Sequence, residues 1–147
     1  MEFENTVTIR RPVEDVFAFL ADFENVPRWN HAIESTTKTS SGPVGVGSTY
    51  RQIRSEPRRS EEGFEVTAFE PARRLAIEGE IGPFRARAEY LLEPIEGATR
   101  LTNAVELEPS SVASKLLAPF AGSRIKTAVA ENLGVLKQLV ESDQHPG

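Results

Sequence analysis

From about residue 32 to residue 108 the chain keeps to a period of two. Apolar and polar side chains alternate through six segments, 32–40, 47–56, 60–70, 73–81, 84–93 and 98–108, the pattern of half-buried strands. Breaks rich in Gly or Pro separate most of them: "SSGPVGVG", "EPRR", "EPARR", "IGPF" and "PIEGAT". Strands joined this tightly must be antiparallel neighbours, because a parallel pair needs a long crossover. The result is one six-stranded meander. "EFENTVTI", with Phe3, Val7 and Ile9 on one side, adds a seventh strand from the N-terminus.

Helical period flanks the meander. In "RRPVEDVFAFLAD" Pro12 suits a first helical position, Glu14 and Asp15 favour the positive helix start, and Val13, Val16, Phe17 and Leu20 form one stripe. Pro27 confines the next helix to a short piece, roughly 23–29, which ends on Trp29, the chain's single tryptophan. The last segment, from "PSSVASKLL" to "KQLVESD", repeats apolar residues at three- and four-residue steps: Leu116, Phe120, Ile125, Ala128, Val129, Leu133, Leu136 and Val140. Ser110 or Ser111 can cap it, and Pro119 and Gly122 should bend its first third. Its stripe needs a partner, and the inner face of the sheet is the only large one. The expectation is an α+β fold, one domain over residues 1–142 with a flexible tail at 143–147.

One helix cannot cover seven strands of a flat sheet, so the sheet must curl around it, as strand twist favours. Strand parity sends Ala86, Ala88, Tyr90 and Leu92 inward, with Leu75, Ile77 and Gly79 beside them. Ile33, Ser35 and Thr37 are expected inward at one end, and Leu101, Asn103, Val105 and Leu107 at the other. Tyr50 and Gln52 share a side, but Ile53 opposite them leaves their direction open. Small residues and an embedded asparagine suggest a hollow. At about 24 cal/mol per Å³, a void of roughly 300 Å³ would forfeit several kcal/mol. That competes with a total stability of only ~5–15 kcal/mol. Such a space is expected to be kept for a ligand, unless Leu116, Phe120 and Leu133 of the helix fill it.

Several chemistries are absent. The net charge of −5 argues against nucleic acid. Arginines in "RQIRSEPRR" and "FRARAEY" read as a solvated sheet face, interleaved with Glu56, Glu61, Glu62 and Glu89. Zero cysteines exclude a disulfide framework, thiolate zinc and a cysteine nucleophile. No metal motif is present, and no cofactor is implied. "GVGSTY" lacks the third glycine of a dinucleotide fingerprint and leads into a strand. His31 reads as a rim or surface residue and His145 lies in the tail, so no triad and no acid–base pair stands out. "MEFENTVTIR" does not look like a signal peptide and no apolar run approaches the ~20 residues of a membrane helix. A cytoplasmic protein without stable membrane insertion is expected.

The local wording resembles a known superfamily. "TVTIRRPVEDVFAFLADFENVPRWNHAIES" resembles the opening of START-like/SRPBCC proteins, in which a strand leads to Pro-x-Glu-x-Val-[FW] and a tryptophan closes the second helix. "GPVGVGSTYRQ", "VTAFEPARRLAIEG" and "ENLGVLKQLVE" resemble its third strand, its Glu-Pro turn and its helix end. The similarity covers essentially the whole chain and is closest to the bacterial polyketide cyclase/dehydrase-like branch. It implies a helix-grip fold: a seven-stranded curved antiparallel sheet around a long C-terminal helix, with two short helices after the first strand. It also implies an internal cavity for a small hydrophobic molecule such as a lipid, isoprenoid or polyketide. The residues expected to line it are Trp29, Tyr50, Gln52, Ile77, Ala88, Tyr90, Asn103 and Phe120. An enzyme of the cyclase/dehydratase type using the same cavity, and a protein-interaction module without a ligand, are the alternatives.

Overall fold

A computed structural model describes residues 1–142, without the side chains of Leu117, Ala118 and Phe120. The tail expected at 143–147, with His145, lies outside the described residues. Strand β1 (Glu2–Ile9) leads to α1 (Val13–Ala21), a 3-10 turn (Phe23–Asn25) and α2 (Val26–Trp29). The meander follows as β2 (Ile33–Lys38), β3 (Thr49–Arg54), β4 (Ser60–Glu70), β5 (Arg74–Ile81), β6 (Phe84–Ile95) and β7 (Ala98–Pro109), and α3 (Val112–Ser142) closes the fold. All neighbours pair antiparallel in the order β1-β7-β6-β5-β4-β3-β2. The curved sheet, the long helix and the two short helices match the expected helix grip.

Turn chemistry sets the meander. Glu96 and Gly97, at φ 44° and 83°, make the tight reversal between β6 and β7, where two left-handed residues suit the twist of a hairpin. Gly79 answers a different demand. It faces Phe64 across the β4–β5 ladder, and a Cβ there would stand 2.6 Å from the Phe64 Cβ. Only glycine leaves Phe64 its place.

The concave face and the helices share one core. Val16, Phe17 and Leu20 of α1 pack with Phe23, Val26, Trp29, Leu75, Leu92, Leu101, Leu133, Leu136 and Val140. A second cluster, Phe84, Ala88, Val105 and Leu107, lies beside the first half of α3, where Ala121 and Ile125 touch it. Ser111 caps α3, its Oγ accepting the Ser114 N–H at 3.1 Å. Pro119 does not interrupt the helix.

Two expectations fail. In β2 the inward residues are Ile33 and Thr36, while Ser35 and Thr37 are exposed. A register shift between Ile33 and Ser35 inserts one residue and reverses the alternation. In α3, Leu116 is 73% exposed and Ala128 also faces out. Twenty residues at about 100° each turn Leu116 some 200° away from Leu136, so the stepwise stripe drifts off the buried side.

Candidate functional site

The concave face carries two patches of distinct chemistry. The first is central and mostly apolar. Ile77 pairs with Ala88, and Tyr90 in the adjacent row pairs with Asn103. Ala88 and Asn103 are buried, whereas Ile77 and Tyr90 keep accessible surface. Asn103 Nδ2 donates to the Glu89 carbonyl at 3.3 Å, which answers part of the hydrogen-bonding need of a buried amide.

Tyr90 is the informative member. Its strand neighbours Ala88 and Leu92 and its cross-strand partners Leu75 and Asn103 are all buried. Burial also pushes the Tyr90 phenol up to about 12, because a phenolate there would lose its hydration. Yet the side chain is only partly buried, and its hydroxyl has no hydrogen-bond partner among the described residues. The surface it retains lies on the concave side of the sheet, which it shares with Ala88 and Leu92. On the packed side of α3 lie half-buried Ile125 and Val129 and Asn132, which is 9% exposed and whose side chain has no partner among the described residues.

The second patch is polar and lies toward the β2 side. The cross-strand row Thr36–Gln52–Glu62 and the neighbouring Arg54 all point inward and are buried. Glu62 is the hub. Gln52 Nε2 donates to Oε1 at 3.0 Å. Oε2 accepts from Arg54 Nε at 2.7 Å, Ser60 Oγ at 3.2 Å and the Gly82 backbone N–H at 2.7 Å. Burial alone would raise this carboxyl, but the bonds from Arg54, Gly82 and Gln52, with the Arg54 charge, outweigh it and hold it below the usual range. Thr36 Oγ1 is buried without a partner among the described residues. Arg54 and Glu62 correct the expectation of a solvated face; Arg51 and Glu61, which pair at 3.1 Å in the open, fulfil it.

The other residues expected at the site fall elsewhere. Tyr50 is 3% exposed, stacks on Phe64 at 5.0 Å and meets Phe23 edge-on. Burial first, then the charges of Glu24 and Asp22, raise its phenol. Trp29 is buried at the end of α2 among the core residues. Phe120 falls outside the described side chains, and His31 is exposed. The structure thus gathers Ile77, Ala88, Tyr90 and Asn103, sets Gln52 in the polar patch, and locks Tyr50 and Trp29 into packing. Parity could have found the missed pair: Arg54 lies two residues beyond Gln52, and Glu62 two before Phe64.

Two depressions, of about 390 and 330 Å³, open instead on the outward face. One is lined mainly by Glu2, Glu4, Arg87, Glu89 and Glu106, the other by Thr39, Tyr50, Arg51, Glu61, Glu62 and Gly63. Both are open and charged, and neither touches the central patch. Among the described residues no group of side chains could hold a metal ion, and no helix is long and apolar enough to cross a membrane.

A curved sheet gripping one long helix, with a partly apolar concave face, defines a helix-grip protein of the START-like/SRPBCC superfamily. The profile of the family described as polyketide cyclase/dehydrase and lipid transport matches residues 1–141, and the chain belongs to that family. Uncharacterized proteins of Mycobacterium tuberculosis and Mycobacterium bovis are 33% identical over 105 residues, 68% of this chain and 61% of theirs. The match therefore spans about three-fifths of those relatives' length. Two crystal structures share the fold. An aromatase/cyclase from Streptomyces sp. R1128 superposes with a TM-score of 0.85 at 13% identity, covering 99% of this chain and 96% of that one. A Thermus thermophilus protein gives 0.82 at 17%, covering 99% and 100%.

Proposed function

We propose that the chain binds and carries a small hydrophobic or aromatic molecule, a lipid, isoprenoid or polyketide, between the concave face and α3. The observation that carries this is Tyr90, a deep, protonated phenol with accessible surface and no partner among the described residues. An unpaired hydroxyl in an apolar surround is costly unless water or a guest completes it. With Ile77 and Ile125 nearby on the facing walls, the matching guest is largely apolar and bears a carbonyl or hydroxyl for Tyr90. Asn132 offers a second polar contact.

Carriage is favoured over catalysis by the state of the ionisable groups. Glu62 is already saturated with donors and held as a carboxylate, and Tyr90 stays protonated far above neutral pH. Neither is poised near 7 as a general acid or base would be. The net charge of −5 fits a cytoplasmic carrier without a nucleic-acid partner. Native mass spectrometry of freshly purified protein tests the proposal, with a co-purifying small molecule expected. Apolar ligands should also raise the melting midpoint. A clean apo mass, with no thermal stabilisation across an apolar library, overturns it.

A further inference from the structure

The first half of α3 turns an unusual side outward. Val112 is 79% and Leu116 73% exposed, and Lys115, Pro119, Ser123, Lys126 and Thr127 are exposed with them. At about 100° per residue these seven fall within one side of the helix, opposite buried Ser114 and half-buried Ile125. Charge sets the segment apart a second time. Residues 109–130 hold three cations, Lys115, Arg124 and Lys126, and no carboxylate, in a chain whose total is −5. None of the three makes an ion pair among the described residues.

We infer that this outward side of α3 docks on an anionic lipid bilayer. Two large apolar side chains on a convex ridge, flanked by lysines on flexible stems, suit a fluid, flat, negatively charged surface. The stems lie along the apolar boundary while their ammonium groups reach the headgroups. The bilayer also resolves the contrast with the acidic remainder of the chain, which it repels and so holds away from the surface. Docking is peripheral, since no described helix can span a membrane. The same helix carries Ile125 and Val129 on its inner side, so docking would set one wall of the binding space against a lipid source. The docking surface itself stands independently of ligand binding.

Flotation with vesicles of phosphatidylcholine alone, and of phosphatidylcholine mixed with phosphatidylglycerol, tests the inference on the full chain. Binding to the anionic vesicles is expected, weakening with salt, and little binding to the neutral ones. Lys115→Glu with Lys126→Glu should lower partitioning at least about 10- to 30-fold. Val112→Ser with Leu116→Ser should lower it by on the order of 10-fold or more. All four side chains are exposed, so circular dichroism and the melting midpoint should not move. Absence of flotation with anionic vesicles, or equal binding by wild type and both variants, overturns docking. So does a lipid-free dimer in sedimentation that the Leu116 variant dissociates, because a second copy would then cover the ridge. Thermal stabilisation by apolar ligands should be the same in all these proteins, so docking and carriage fail separately.

Discussion

Replacing Glu62 by glutamine removes a charge and almost no volume. Arg54, 9% exposed, then faces an amide where it had a carboxylate at 2.7 Å. Breaking a buried ion pair from one side commonly costs about 3–5 kcal/mol. The glutamine oxygen can still accept from Gly82 or Ser60, so the lower end, about 3 kcal/mol, is expected. At roughly 3–5 °C per kcal/mol for a chain of this length, the melting midpoint should fall by about 9–15 °C at neutral pH. The pH dependence has a definite sign. Glu62 is held below the unfolded carboxylate value of about 4.3. Its contribution is therefore complete above that value and is lost as pH falls through the folded pKa. The gap between wild type and variant should be constant near neutrality and narrow below about pH 5. Removing both partners, Arg54→Met with Glu62→Leu, should restore only part of the stability, because the stranded Arg54 charge is gone while Gln52 Nε2 and the Gly82 N–H lose their acceptor. Calorimetry across pH measures all three proteins. A Glu62→Gln midpoint equal to wild type, or a gap that ignores pH, refutes the hub assignment.

Other outcomes follow from single observations. Tyr90→Phe should leave the fold intact but weaken a carbonyl- or hydroxyl-bearing ligand by about 0.5–1.5 kcal/mol, with little effect on a purely apolar one, by titration calorimetry. Tyr50 and Tyr90 are the only tyrosines and both phenols are raised, so phenolate absorbance should stay low at pH 10, where a free tyrosine is half ionised. Between about pH 10 and 12 stability should fall as the unfolded chain releases these protons first; phenolate that appears at pH 10 without unfolding contradicts this. Gly79→Ala should destabilise by about 1–3 kcal/mol or more in urea, since the new methyl meets Phe64 and adjoining backbone.

Much of this architecture is written in period and punctuation. Parity places Ala86, Ala88, Tyr90 and Leu92 on one side because β6 runs its whole length without a register shift in its ladders with β5 and β7. The same rule fails in β2, where the bulge after Ile33 brings Thr36 inward, and such an insertion has no signature in "IESTTK". At Arg54 and Glu62 parity competes with charge, because alternating charge usually marks a wet surface. What buries them is the partner set of Gln52, Ser60 and the Gly82 N–H, which exists only once the turns are folded. Leu116 misleads for a different reason: helical steps are local, and a small angular error accumulates along 31 residues.

The bulge in β2 also bears on how this molecule keeps company with copies of itself. The outermost strand of any sheet offers bare N–H and C=O groups that another chain can copy. Here that strand is six residues long, interrupted after its first residue, and carries Glu34 and Lys38. On the far flank, β1 is shielded by α3, where Asn5 donates to the Lys126 carbonyl at 3.2 Å. A distortion that looks like a lapse in the ladder thus guards against polymerisation, leaving growing filaments no straight template at either side.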